Sequence, residues 1–314
     1  ENLMNYPSFF EPKKSLNLFG HRENFAFLTS LYVEKKLPRV MLFTGNKGLG
    51  KSTFINHFLF SIFDKINYNI NNFSISDSSP MFKQYNNNIF ANIAYLNGSN
   101  FKSIKIEDIR NLKKNILQSS ISYNERFIIL DDVELFNNNC LNALLKIIEE
   151  PGKNNYFFLI NNQSKPLLET IKSRSIEIKI ILNQNSRLKI INDLIKNFKL
   201  ETTLDLNDSK LSPGNFIKFD YILQEYNISL TKDLIDNLSN LLNLYKKNKD
   251  IIFINIAFFI VNYYFRNIST KTSLNADKIY DLKKFIFKNL NNFLIYNINQ
   301  NTIITAVHNK LNHD

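Results

Sequence analysis

The stretch VMLFTGNKGLGKS, residues 40–52, decides the fold of this 314-residue chain. It opens with a continuous apolar run of the kind found in strands that are buried on both faces. The residues that follow, from Gly45 to Ser52, match the pattern G-x-x-x-x-G-K-[ST], and a helical apolar pattern comes after them. A strand, a glycine-rich loop and a helix in this order predict a loop that binds nucleotide phosphates.

The residue types of this loop suit a phosphate ligand. Glycines let backbone N–H groups close around phosphates, and the start of the following helix adds the positive end of its dipole. Lys51 would reach the β- and γ-phosphates, and Ser52 would hold Mg²⁺. The sequence therefore predicts a site for ATP and Mg²⁺. The residues assigned to it are Gly45, Asn46, Lys47, Gly48, Leu49, Gly50, Lys51, Ser52 and Thr53.

A second acidic group is needed to complete the metal site. The run FIILDD, residues 127–132, ends a predicted strand with two carboxylates. Asp131 is predicted to be the acid on the metal side. Without the phosphate loop, an apolar run ending in Asp would indicate only a buried strand followed by a turn residue.

The pattern along the chain predicts an α/β domain followed by helices. Strands are predicted at 40–44, 127–130 and 156–160, with amphipathic helices between them, so residues 1–182 should form one domain with a parallel sheet. After that the apolar spacing is helical. The turn residues Ser212, Pro213 and Gly214 mark a break between helices of a small helical lid domain predicted at 183–230, and a helical collar is predicted at 231–314. The Asn-rich stretch 65–92 is predicted to be a long surface excursion.

Composition narrows the remaining classes of function. A single cysteine and four scattered histidines predict no zinc site. No apolar run reaches the roughly 20 residues of a membrane helix and no signal peptide is recognisable, which predicts a cytoplasmic protein with no membrane partner. Met4 is a candidate start residue. The net charge of +11 suits a nucleic-acid partner, but the lysines are scattered rather than gathered into one stripe. Cys140 is predicted to be a buried or half-buried helix residue.

Several longer stretches resemble a known family. NALLKIIEEP (142–151) and TIKSRS (170–175), within the segment 130–175, are similar to the core of the AAA+ subunits of the bacterial DNA polymerase III clamp loader. The likeness extends upstream over residues 18–52 and more faintly to residues 297–311. It implies an AAA+ P-loop domain with a parallel sheet, a small helical lid and an all-helical collar that forms the oligomer.

The resemblance assigns further residues. Arg174 matches the arginine finger that enters the neighbouring subunit's ATP site, and Asn161 or Asn162 matches the sensor position after the fourth strand. The acid that orients water in this family is usually Glu, and here it is Asp132, one methylene shorter. At the lid position where motor subunits carry an arginine, this chain has Asn215. These departures favour the delta-prime subunits, which would bind ATP and hydrolyse it poorly.

The implied partners are the motor and delta subunits of a hetero-oligomeric ring, the sliding clamp, and primed DNA reached through the complex. Two alternatives stay open. The chain could be an active ATPase, either the motor subunit of the loader or another AAA+ enzyme. It could also be a DNA-binding protein with a vestigial phosphate loop, which would require a positive face rather than scattered lysines.

Overall fold

A five-stranded parallel sheet is the centre of the N-terminal part of the chain. The computed structural model describes residues 6–99, 105–118, 125–207, 209–271 and 276–313. The strands in chain order are β1 (Val40–Thr44), β2 (Tyr68–Asn69), β3 (Ser74–Ile75), β4 (Ile93–Asn97), β5 (Arg126–Asp131), β6 (Asn155–Asn161) and β7 (Ile176–Lys179). The large sheet has the order β4-β5-β6-β1-β7, and β2 pairs with β3 in a separate antiparallel ribbon.

Helices cover both faces of the sheet, because alternate side chains of each central strand point to opposite sides. Met41 and Phe43 of β1 belong to one apolar cluster, whereas Val40 and Leu42 belong to another. The strands β5 and β6 divide their side chains in the same way. The continuous apolar runs in the sequence therefore reflect burial on two sides, and the three predicted strands are all present.

The helices of this region follow the predicted pattern. In chain order they are α1 (Arg22–Val33), α2 (Lys51–Phe63), α3 (Pro80–Asn86), α4 (Ile106–Gln118), α5 (Asn138–Glu149), α6 (Glu169–Lys172) and α7 (Gln184–Phe198). The Asn137 side chain accepts a hydrogen bond from the Cys140 N–H and so caps the start of α5. Pro151 follows its end, where a proline cannot continue a helix. Cys140 is buried in this helix, which confirms the prediction.

The prediction of a surface excursion at 65–92 was wrong for the apolar residues of that stretch. It folds into the β2–β3 ribbon and α3, and it buries the side chains Tyr68, Phe73, Ile75, Met81 and Tyr85 in the same cluster as α1 and α2. Phe73 contacts Phe25 edge-on, and Tyr68 stacks on the same ring. The apolar residues of this stretch are separated by asparagines and form no regular pattern in the sequence. Tertiary packing brings them together in the core.

The chain divides into two compact units. The first holds residues 7–200 and 210–215, and the second holds Tyr6, residues 201–209 and the chain from 216 onward. The remaining helices are α8 (Pro213–Glu225), α9 (Leu234–Asn248), α10 (Ile252–Lys271), α11 (Ala276–Tyr296) and α12 (Gln300–His313). The division into three domains at 182 and 230 stays a prediction, and Met4 lies outside the described residues. Of the helices that the structure describes, none is both long and apolar enough to cross a membrane.

Candidate functional site

The loop between β1 and α2 has the backbone shape that its glycines allow. Gly48 and Gly50 both have φ of +85°, in the left-handed region that other residues rarely adopt. A Cβ at Gly45 would lie 2.5 Å from the Ile180 carbonyl oxygen, so the chain is close-packed there as well. Helix α2 begins at Lys51, which places the free N–H groups of its first turn at the loop. The loop therefore has the backbone shape that a phosphate-binding loop requires.

Lys51 is buried at the start of α2 and turns back onto the loop. Its Nζ donates hydrogen bonds to the carbonyl oxygens of Gly45 and, at 2.9 Å, of Asn46. Burial lowers the pKa of Lys51 to about 8, and the nearby carboxylates of Asp131 and Glu134 oppose that shift. An ammonium group held this way can exchange carbonyl partners for phosphate oxygens.

Asp131 ends β5 and lies in the same region, as predicted. The Tyr95 hydroxyl donates to its Oδ2 at 2.7 Å, and the Asp132 backbone N–H donates to its Oδ1 at 2.9 Å. Burial first, and the neighbouring Asp132 second, raise the pKa of Asp131. Tyr95 was missed from the sequence because strand β4, which carries it, follows directly on the Asn-rich stretch.

Asp132 is also beside the loop, but its carboxylate is engaged. Lys47 Nζ lies 3.1 Å from its Oδ2, and the Asn162 side-chain amide donates to its Oδ1 at 2.7 Å. Only 3% of the Asp132 side chain is exposed, and its backbone is left-handed with φ of +51°. The acid predicted to orient water is thus held by two partners on its own chain.

The two sensor candidates occupy different positions. Asn162 contacts both acids, because its amide also lies 3.3 Å from Asp131 Oδ1. Asn161 ends β6, and its Oδ1 accepts from the Gln163 N–H while its carbonyl accepts from the Gly45 N–H. The structure therefore places Asn162 beside the two acids, whereas Asn161 contacts the loop through the hydrogen bond that its backbone carbonyl accepts from Gly45.

Glu134 fixes the turn that carries Asn162 and was not predicted. Its Oε1 accepts hydrogen bonds from the Ser164 hydroxyl at 2.7 Å and from the Asn162 N–H at 3.1 Å. Its side chain is buried, and its second oxygen makes no hydrogen bond within the described residues. A carboxylate two residues past the paired acids gave no recognisable signal in the sequence, since it resembles an ordinary surface Glu.

His21 holds the other side of the loop. Its Nε2 lies 2.7 Å from the Leu49 carbonyl oxygen, and since a carbonyl only accepts, Nε2 carries the proton. Burial lowers the pKa of His21 and so favours the neutral ring, while the bond to the Leu49 carbonyl opposes that shift. A histidine far upstream in sequence carried no sign of this contact.

Ser212 and the first turn of α8 pack directly on the loop. Ser212 Oγ donates to the Lys47 carbonyl at 2.6 Å, and the Gly214 N–H donates to the Gly48 carbonyl at 2.8 Å. A Cβ added to Gly48 would lie 2.8 Å from both the backbone nitrogen and Oδ1 of Asn215. Asn215 therefore lies against the loop, where the resemblance implied an arginine in motor subunits.

This packing predicts that Gly48→Ala destabilises the chain. Alanine at this position would have to keep the left-handed backbone, which costs about 1–2 kcal/mol. Its methyl group would also collide with residues 212–215 at the start of α8. Gly152→Ala is a matched control, because its φ is +75° but its nearest atom is the end of the Asn155 side chain. We expect denaturant melts to show a larger loss of unfolding free energy for Gly48→Ala. Equal losses of unfolding free energy in the two variants would mean that residues 212–215 move aside at no cost.

Arg174 lies apart from these contacts, just past α6. Its side chain is 37% exposed, and its hydrogen bonds go to Glu149 and to the Thr170 carbonyl. The flanking Ser173 and Ser175 hydroxyls bond to backbone carbonyls of the same short segment. The structure thus separates the predicted finger from the predicted nucleotide site of its own chain.

The residues present fit ATP with Mg²⁺. Ser52 Oγ is buried beside the Tyr95 hydroxyl and makes no ordinary hydrogen bond within the described residues, so this oxygen is available to a metal ion. Asp131 is held by neighbours at both of its oxygens, and Lys51 lies at the loop. Thr53 follows on α2. Bound Mg²⁺ would neutralise phosphate charge; Ser52 and Asp131 would hold it.

Comparison with known proteins gives a consistent result. Residues 20–184, more than half of the chain, match the family described as DNA polymerase III, delta subunit. DNA polymerase III subunit delta' of Buchnera aphidicola subsp. Schizaphis graminum is 32% identical over 60% of this chain and 60% of its own length. The corresponding protein of Pseudomonas aeruginosa is 36% identical over 24% of this chain and 23% of its own. The matches therefore span less than two thirds of either relative.

Other matches are more distant. DNA polymerase III subunit gamma/tau of Mycoplasma genitalium is 27% identical over 57% of this chain and 30% of its own length. Among solved structures, a Thermotoga maritima protein related to the gamma subunit covers 69% of this chain and 81% of its own, with TM-score 0.37 and 18% identity. The RuvB branch-migration motor of the same organism covers 96% and 86%, with TM-score 0.45 and 14% identity.

Proposed function

Because this chain belongs to the delta-prime family of DNA polymerase III clamp-loader subunits, we propose that it helps to load the sliding clamp on primed DNA during replication. It would work in a hetero-oligomeric ring with the motor and delta subunits, in the cytoplasm. Its own contribution would be an ATP site that hydrolyses poorly and an arginine, Arg174, that completes the ATP site of a neighbouring motor subunit.

The state of Asp132 supports poor hydrolysis most directly. Its short carboxylate is paired with Lys47 and bonded to Asn162, so orienting a water molecule would require it to give up charged and hydrogen-bonded partners. Water positioning is sensitive to displacements of about 1 Å. ATP bound here would then act as a structural ligand of the subunit rather than as a substrate for hydrolysis.

The exposure of Arg174 supports the role in the neighbouring site. A guanidinium is planar and permanently charged, so it can stabilise the charge of a transferring phosphoryl group in another subunit. To do so, it must be accessible, and the side chain is 37% exposed.

The intact phosphate loop favours one alternative, in which this chain is itself an ATP-hydrolysing motor subunit or another AAA+ ATPase. Lys51, Ser52 and Asp131 supply every side chain that ATP with Mg²⁺ requires. The two proposals differ in which site performs hydrolysis, and that difference can be measured.

The test is reconstitution with the motor and delta subunits of the same organism. Omitting the chain should reduce DNA-dependent ATPase activity and clamp loading, and Asp132→Asn should restore both as fully as the wild type, because hydrolysis takes place elsewhere. Asn keeps the size of the side chain and an oxygen that can accept from the Asn162 amide, and it removes the negative charge. If Asp132→Asn instead lowered the turnover of the complex severalfold, the chain would be an active motor. If omission changed nothing, the chain would not be a loader subunit.

A further inference from the structure

The segment that carries Arg174 is fixed to the helix that carries Glu149. Ile171 of α6 is fully buried in the same apolar cluster as Ile147 and Ile148, the last buried residues of α5. Because interiors are close-packed, two elements that share such a cluster move little relative to each other. The end of α5 and the segment after α6 therefore present their side chains in a defined arrangement.

Glu149 and Arg174 use that arrangement. Glu149 Oε1 accepts from Arg174 Nε at 2.8 Å and lies 2.7 Å from Nη2 as an ion pair, and the Thr170 carbonyl accepts from Nη1 at 3.1 Å. A guanidinium has five N–H groups, and these contacts engage at most one on each nitrogen. Among the described residues, at least one N–H on each terminal nitrogen has no partner and can reach a further anion. The guanidinium is thus held in place and still has N–H groups that can donate to another ligand.

Glu149 lies at the C-terminal end of a helix, which gives its ion pair with Arg174 an additional electrostatic effect. It is the last residue of α5, where the negative end of the helix dipole disfavours a carboxylate. Arg174 offsets that penalty, since it brings a positive charge to the same helix end. The next residue, Glu150, is also exposed and carries the same charge, which makes it a natural control.

We propose that Glu149 is a positioning residue for Arg174: it restricts the arginine to one orientation before the neighbouring subunit's nucleotide arrives. This inference rests on the proposed role of Arg174 in trans. A free arginine side chain samples many rotamers and loses that freedom when it enters a site. Glu149 removes part of that freedom in advance, so fewer unproductive orientations compete when the γ-phosphoryl group is transferred.

The opposite role is also conceivable on electrostatic grounds, since a carboxylate could withhold the arginine from a phosphate. The two free N–H groups argue against it, because the guanidinium can bind an anion without leaving Glu149. The two roles predict changes of opposite sign, so one experiment separates them.

The experiment measures steady-state ATP hydrolysis by the motor subunit in the reconstituted complex. Glu149→Ala should lower kcat about tenfold with little change in KM for ATP, as loss of an orienting partner does. Glu149→Gln, which can still accept a hydrogen bond, should recover part of the activity. Glu150→Ala, with the same change of charge at the same helix end, should leave kcat unchanged. Melting temperatures of the isolated variants show whether folding is affected.

A second pair of variants separates this inference from the role of Arg174 itself. In the Arg174→Ala background, adding Glu149→Ala should cause no further loss. If Arg174→Ala left kcat unchanged, the proposed finger would be wrong, whatever Glu149 did. If Arg174→Ala lowered kcat but Glu149→Ala did not, or raised it, only the positioning role would be overturned. If Glu150→Ala lowered kcat as much as Glu149→Ala does, the effect would come from negative charge at the helix end and the positioning role would be wrong.

Discussion

Arg174→Ala is expected to lower kcat at the motor site that receives the arginine by about 10³-fold or more, the usual worth of an arginine finger supplied in trans. Loss of the guanidinium removes charge that is needed only as the γ-phosphoryl group is transferred, so KM for ATP should change little. The measurement is ATP turnover by a complex in which the other motor sites carry inactive phosphate loops, because their activity would mask the loss.

Two variants make this result specific. Lys172→Ala removes a positive charge from the same short helix, where Lys172 pairs with Glu169 on the surface, and should leave kcat unchanged. Arg174→Lys keeps the charge but loses the planar fork, so it should recover little. Wild-type turnover in the Arg174→Ala complex would remove the finger assignment and leave the chain without a catalytic contribution to its neighbour.

Lys51→Ala is expected to weaken ATP binding to the isolated chain by about 100-fold, which corresponds to about 2.8 kcal/mol. The ammonium is the only buried positive side chain of the phosphate loop, and its hydrogen bonds to two loop carbonyls show that it lies where a phosphate would meet it. The loop backbone would still provide N–H groups. Binding should therefore be weakened rather than abolished. Fluorescent nucleotide titration measures the change.

A thermal shift assay supplies the control for Lys51→Ala. Ligand binding stabilises the folded chain in proportion to the logarithm of ligand concentration over Kd, so the variant should need about 100-fold more ATP than the wild type for the same rise in melting temperature. Lys83→Ala, at an exposed position on α3, should respond as the wild type does. If Lys51→Ala still showed the full ATP-dependent shift, the bound nucleotide would not use this loop.

The sheet could be predicted because its central strands are buried on both faces. The runs at 40–44, 127–130 and 156–160 are apolar without interruption, and the phosphate-loop pattern fixes which end of β1 faces the ligand. Strands β4 and β7 were not predicted, since they lie at the edges of the sheet and their side chains are only partly buried. Residues such as Ile176, which is exposed, leave no clear apolar run.

The candidate site was predicted only where residues are close in sequence. The phosphate loop and the two acids follow local patterns, and the structure brings Lys51, Asp131, Asp132 and Asn162 together. The partners of these residues could not be read in advance. Tyr95, Glu134 and His21 reach the site from separate elements, and the Lys47–Asp132 ion pair joins residues 85 positions apart. Such contacts depend on tertiary packing that no local pattern reports.

The aromatic packing of the β2–β3 ribbon and α3 also bears on how this chain responds to temperature. Tyr68, Phe73 and Tyr85 are buried with α1 and α2, so the segment derives much of its stability from removing apolar surface from water. That driving force is largely entropic near room temperature and weakens on cooling. The contacts that hold the ribbon and α3 on α1 and α2 should therefore weaken on cooling, as should the rest of the apolar cluster that they share.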